Sequence, residues 1–132
     1  MTLTSSCGAA QESATEAAIF EQMQENKIQY VGNNSGVSRL LSFLPNFDKN
    51  YTQNMFSLQT QNKPYGIVIY YEPSEQWNGS DMAVTDEMTT YSEYLFECID
   101  DLGYIEFSYR PSSSNGNLEK SEYQMLLHID RK

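Results

Sequence analysis

The chain has 132 residues and a mass of 15.1 kDa, enough for one hydrophobic core and too little for two, so a single domain is expected. Eighteen acidic residues against eight basic ones leave a formal charge of -10 and a pI near 4.3; with no local basic patch to offset it, this excludes nucleic acid as an expected partner. Mean hydropathy is low at -0.58 and no apolar run of about eighteen residues occurs, yet ten Tyr and six Phe speak for a packed, sheet-containing fold rather than a disordered chain.

The first stretch, MTLTSSCGAAQESATEAA, lacks strand alternation and turn punctuation. Leu3-Thr4-Ser5-Ser6-Cys7-Gly8 resembles the end of a bacterial lipoprotein signal, in which small residues precede a cysteine that is diacylated after cleavage. Thr4 stands where such signals carry a large aliphatic residue, and their basic and apolar regions are missing from the displayed sequence. Two expectations follow. Either residues 1–26 are a flexible tether lipidated at Cys7, with the displayed chain starting inside a longer signal, or Cys7 is an incidental thiol in a cytosolic tail. The small, polar composition of residues 8–15 favours the tether. Within it, residues 15–27 predict a short helix with Ala18, Ile19, Gln22 and Met23 near one face; the narrow stripe and missing cap predict loose packing.

Residues 27–132 read as one α+β domain. Ile28-Gln29-Tyr30-Val31 alternates for one pleat before the turn cluster Gly32-Asn33-Asn34, which predicts a first strand and a bend. Ser35 is placed to cap a helix whose Val37, Leu40, Leu41 and Leu44 share one face, and Pro45 stops it. The Gly32–Gly36 turn lacks a second glycine at dinucleotide-binding spacing and a Gly-Lys-Ser/Thr triplet, so it reads as a bend rather than a phosphate site. Residues 56–72 are the strongest strand region. Met55 to Thr60 alternates with Phe56 and Leu58 on one face; after a polar turn containing Pro64, Tyr65, Ile67, Ile69 and Tyr71 face one way and Val68 and Tyr70 the other. Apolar groups on both faces predict an interior strand.

The acidic loop 73–84 carries the single tryptophan, Trp77, which is either a stacking platform for a ligand or a lid folded over the core. Thr85 is placed to cap a second helix in which Met88, Tyr91, Leu95, Cys98 and Leu102 form the buried stripe, ended by Gly103. Cys98 is thus expected as a buried neutral thiol. A strand follows with Ile105, Phe107 and Tyr109 inward, then a turn at Asn115-Gly116. A last segment has Tyr123, Met125, Leu127 and Ile129 on one parity, a strand with a short helix as the alternative. His128 falls on the outward parity.

The order strand, helix, strand, strand, helix, strand, plus an added strand, predicts an α+β ferredoxin-like fold, the split βαβ arrangement (β-α-β-β-α-β), with two helices on one face of an antiparallel sheet. Tyr30-Val31-Gly32-Asn33-Asn34-Ser35 leading into residues 37–45, Leu58-Gln59-Thr60 through Pro64-Tyr65-Gly66 to Tyr70, and Leu95-Phe96 through Leu102 to Ile105 together resemble domain-of-unknown-function family 4825, over about residues 27–109. The resemblance implies a small bacterial extracytoplasmic domain, mainly of Firmicutes, occurring as a lipoprotein or appended to membrane receptors similar to β-lactam-sensing metallopeptidases. It carries no activity and no catalytic residue.

The expected function is therefore a non-enzymatic, membrane-tethered binding or sensory accessory domain. It would be a monomer on the extracellular face of the cytoplasmic membrane, touching the membrane only through a lipid on Cys7, or cytoplasmic if Cys7 is not lipidated. Its expected ligand is an unidentified protein, peptide or glycan; no catalytic residue, metal ligand or cofactor is assigned. One alternative is a glycan- or peptide-binding module using Trp77 and outward tyrosines. The other is a small cysteine-dependent enzyme using Cys98, His128 and an acidic residue, whose faces are predicted to diverge.

Overall fold

The structure is a computed structural model that describes residues 8–110 and 122–132, with side chains from residue 16 onward. Its elements are α1 (Gly8–Glu25), α2 (Asn34–Leu41), β1 (Tyr51–Gln59), β2 (Tyr65–Pro73), α3 (Asp86–Cys98), β3 (Leu102–Tyr109) and β4 (Gln124–Asp130). The fold is α+β: three helices with a four-stranded mixed sheet in the order β1-β2-β3-β4. Cys7 and the expected turn at Asn115-Gly116 lie outside the described residues.

Helix α1 is longer than the helix expected over residues 15–27, and its final turns are anchored rather than loose. Met23 is wholly buried in the core, and the Phe20 ring stacks on Tyr94 at 4.2 Å. The apolar stripe is narrow, but one methionine and one phenylalanine suffice to dock it.

Residues 28–31 do not form the expected first strand. Ile28 makes a single parallel bridge to Ile99, its N–H donating to the Cys98 carbonyl at 2.8 Å and its carbonyl accepting from Asp100 at 3.1 Å. The chain then turns, with Asn33 N–H bonded to the Tyr30 carbonyl at 3.0 Å, and the Val31 N–H goes to the Asp101 carboxylate at 2.7 Å instead of a ladder partner. A ferredoxin-like sheet needs that strand at its centre. Here β2 pairs antiparallel with β1 but parallel with β3, and β3 pairs antiparallel with β4, so the antiparallel split βαβ arrangement is replaced by a sequential mixed sheet.

Asn33, not Ser35, caps α2: its side-chain oxygen accepts from the Gly36 N–H at 3.0 Å. Val37, Leu40 and Leu41 are buried as their spacing requires. Thr85 does occupy the N-cap position of α3 in an extended conformation, but its hydroxyl makes no capping bond. Met88, Tyr91, Leu95 and Cys98 are all buried, whereas the helix stops at Cys98 rather than Gly103. Leu102 is wholly buried as the first residue of β3 instead of the last of the helix. Arg131 closes the helix end: its Nε donates to the Leu102 carbonyl at 2.6 Å and its Nη2 to the Phe96 and Ile99 carbonyls at 2.8 Å each. A cation there also complements the negative end of the helix dipole.

Strand β2 lies in the sheet interior, as its two apolar faces predicted. Ile67, Ile69 and Tyr71 join Ile105 and Phe107 in the core with Met23 and the buried residues of α2 and α3, while Val68 and Tyr70 are buried outside that core. Phe47, from the loop after α2, packs against Tyr71, Tyr91 and Phe107 at 5.7–6.4 Å between ring centroids. Residues 124–130 form a strand, not a helix. Met125 is exposed rather than inward because the ladder steps from Phe107 opposite Leu127 to Ser108 opposite Met125, leaving Leu126 as an extra residue that reverses the parity.

Candidate functional site

The three segments that carry the family resemblance converge on one corner, where β2 and β3 begin. Val31 is bonded to Asp101 there, and the Tyr30 ring meets Tyr65 edge-on at 6.4 Å. The two parallel strands each lend a glycine to a ring across the pair, Tyr104 on β3 and Pro64 just before β2. A Cβ on Gly66 would stand 2.1 Å from the Tyr104 ring, and one on Gly103 would stand 2.5 Å from the Pro64 ring. The register slips between Tyr65 and Gly66, which makes Gly103 the unpaired residue that lets Pro64 approach. The Lys63-Pro64 peptide bond is cis.

This packing leaves an open groove of about 490 Å³ lined by Lys63, Pro64, Tyr65, Asp100, Asp101, Leu102, Gly103 and Arg131. The Lys63 ammonium lies over the Tyr65 ring at 5.8 Å, and Tyr30 nearby is half exposed. Both charge signs and two tyrosines suit recognition of a polar, uncharged or mixed-charge surface. Arg131 and Asp101 are already engaged with backbone groups, which fixes them as walls.

A second polar cluster sits where β2 and β3 end. The β1 ladder is irregular between Gln53 and Met55, and the extra residue, Asn54, turns its amide to Glu72 at 2.8 Å. The same Glu72 oxygen accepts from the Tyr123 hydroxyl at 2.9 Å. Arg110, 2% exposed, lies 3.8 Å from the other Glu72 oxygen and is paired with Glu122. Tyr123 packs on Tyr70 at 4.9 Å. Burial, first, and the Glu72 bond, second, raise the Tyr123 phenol above its ordinary range. The cluster ties the start of β4 to the sheet.

The residues singled out by sequence are dispersed. Trp77 is half buried against the core, with its indole N–H shared between the Tyr51 hydroxyl at 3.2 Å and the Ser80 carbonyl at 3.0 Å. Cys98 is wholly buried, and desolvation pushes its thiol up to about 11. His128 lies on the opposite face, paired with Glu106, and bonds Glu106 and Asp130 at 2.8 Å each while stacking on Tyr104 at 5.0 Å. Asp130, two residues on, shares its strand face, and Glu106 is its cross-strand partner. Among the described residues, no three or more His, Cys, Asp or Glu side chains are grouped to hold a metal ion, and no helix is long and apolar enough to cross a membrane.

The family model described as Domain of unknown function (DUF4825) matches residues 23–125, most of the chain and every lining residue of the corner groove except Arg131. The chain belongs to the DUF4825 family. The start of the match at residue 23 coincides with Met23, the buried residue that docks α1, so the core of this DUF4825 domain takes in the last turn of that helix. No curated protein and no solved structure matches the chain.

Proposed function

We propose that this DUF4825 domain is a non-enzymatic binding or sensory accessory domain, held at the outer face of the cytoplasmic membrane by a lipid on Cys7. The observation that carries the binding reading is the corner groove, where the three family-like segments meet around Tyr30, Lys63 and Tyr65. Those segments are spent on shaping a surface and not on assembling a nucleophile, since Cys98 and His128 are held on opposite sides of the sheet. The tether reading is supported by the small residues around Cys7 and by the surface charge, which keeps a tethered domain soluble.

The test is expression from the native gene with its own upstream sequence, followed by fractionation and pull-down. The native protein should sediment with membranes, and Cys7→Ala should release it. Partners captured by the native chain should be lost from a Tyr30→Ala, Lys63→Glu double variant. A Cys7→Ala chain that stays in the membrane fraction would remove the tether, and partners indifferent to the double variant would remove the groove.

A second reading, ligand stacking on Trp77, has less support because the indole N–H is already committed to Tyr51 and Ser80.

A further inference from the structure

Among the described residues, strand β1 is an edge of the sheet, with a neighbour on one side only. Its nine residues, YTQNMFSLQ, contain no charge and no proline, in a chain where 20% of residues are charged. Edges normally carry such residues to discourage further pairing, and β4, the other edge, has His128 and Asp130. The bulge at Asn54 is the single irregularity along β1.

Beside the first half of β1 lies a recess of about 260 Å³, between that strand and the residues that follow α2. Its walls include Ser42, Leu44, Asn46, Thr52, Gln53 and Tyr71, and among the described residues no charged side chain lines it. Tyr71 is 1% exposed, and its hydroxyl has no hydrogen-bond partner among the described residues. A buried hydroxyl left unpaired is costly, so the position calls for a partner. The recess is smaller than a site for a whole small molecule and fits one side chain. It offers no aromatic face to a sugar, since the Tyr71 ring is packed between Phe47 and Phe107. An ionised group would find no countercharge there.

We infer that the free edge of β1 receives an extended peptide segment of a partner protein as a fifth strand, and that a neutral hydrogen-bonding side chain of that segment enters the recess beside Tyr71. Main-chain bonds along β1 supply affinity, and the recess supplies specificity for Asn, Gln, Ser or Thr. This site is separate from the corner groove and independent of the tether.

The experiment is selection of a phage-displayed library of random 12-residue peptides against the full chain. Enriched peptides should carry a neutral hydrogen-bonding residue within an alternating pattern. On binding, they should slow amide hydrogen exchange within residues 51–59. Thr52→Lys, which puts a charge on the exposed edge, should weaken them at least tenfold. Tyr71→Phe should weaken them by a similar factor with a thermal midpoint equal to or above that of the parent, which separates loss of a ligand contact from loss of fold. Failure to enrich any peptide, equal binding to both variants, or protection elsewhere than β1 would overturn the proposal. So would a dimer in light scattering that Thr52→Lys dissociates, because the edge would then be filled by a second copy.

Discussion

The ring of Tyr104 stands where a Cβ on Gly66 would have to be, three of its atoms lying 2.1 to 2.3 Å from that position. The two residues face each other across the parallel β2–β3 pair, so neither can yield without disturbing the centre of the sheet. Gly66→Ala should therefore destabilise the domain by about 1–3 kcal/mol in urea unfolding. Tyr104→Ala in the Gly66→Ala background should recover part of that loss. Strictly additive effects would mean that the two do not contend for the same space.

Stability should also depend on His128. Hydrogen bonds to Glu106, first, and Asp130, second, raise its pKa above the ordinary value by favouring the charged ring. The folded chain thus holds the proton more tightly than the unfolded one. The resulting stabilisation is complete below the unfolded pKa of about 6.5 and is lost as pH rises through the higher folded value. The urea midpoint of the parent should fall on going upward from about pH 6.5, relative to a flatter profile for His128→Gln. Parallel profiles would remove His128 from the account.

Arg110 and Glu72 form a buried pair at 3.8 Å, with side chains 3% and 11% exposed. Arg110→Ala strands the Glu72 carboxylate among neutral donors and should cost about 3–5 kcal/mol. Arg110→Ala combined with Glu72→Ala should cost less than the sum of the two single changes, and a double-mutant cycle by denaturant unfolding measures the difference.

Trp77 and Tyr51 share the Ser80 carbonyl as acceptor, and Tyr51 donates to it at 2.7 Å. Trp77→Ala should lower the thermal midpoint by loosening this lid, at a cost of about 1–3 kcal/mol for a half-buried side chain. A variant with the parent's midpoint and impaired capture of a glycan or peptide would instead restore the ligand-platform reading.

Cys98 should be silent toward thiol reagents at pH 8 in the folded state, because burial removes access and its thiol is pushed up to about 11. In a Cys7→Ala chain, labelling should appear only across the unfolding transition. Fast native-state labelling would contradict the packing of α3.

What sequence made legible is what repeats along the chain. The period-two alternation of Ile67, Ile69 and Tyr71 and the helical spacing of Val37, Leu40 and Leu41, or of Met88, Tyr91, Leu95 and Cys98, each report burial directly. Residues 28–31 alternate too, but one pleat is too short to say whether a partner exists, and only Ile28 finds one. Met125 departs from the parity of its strand because a bulge on β4 reverses it without a local residue signal. The polar cluster was invisible for another reason: Asn54, Glu72, Arg110 and Tyr123 come from four separate segments and share no spacing. Phe47 was hidden among polar neighbours, and the recess beside Tyr71 combines a helix end with an edge strand.

The parallel pairing of β2 with β3 also sets an order of events during synthesis. The β1–β2 hairpin has both of its strands once residue 73 leaves the ribosome, whereas the other side of β2 waits for residues 102–109. In that interval the most apolar strand of the chain presents an unpaired edge. At translation rates of about 5–20 residues per second, the exposure lasts on the order of seconds, the window in which a nascent hairpin is most open to capture by a chaperone or by another nascent chain.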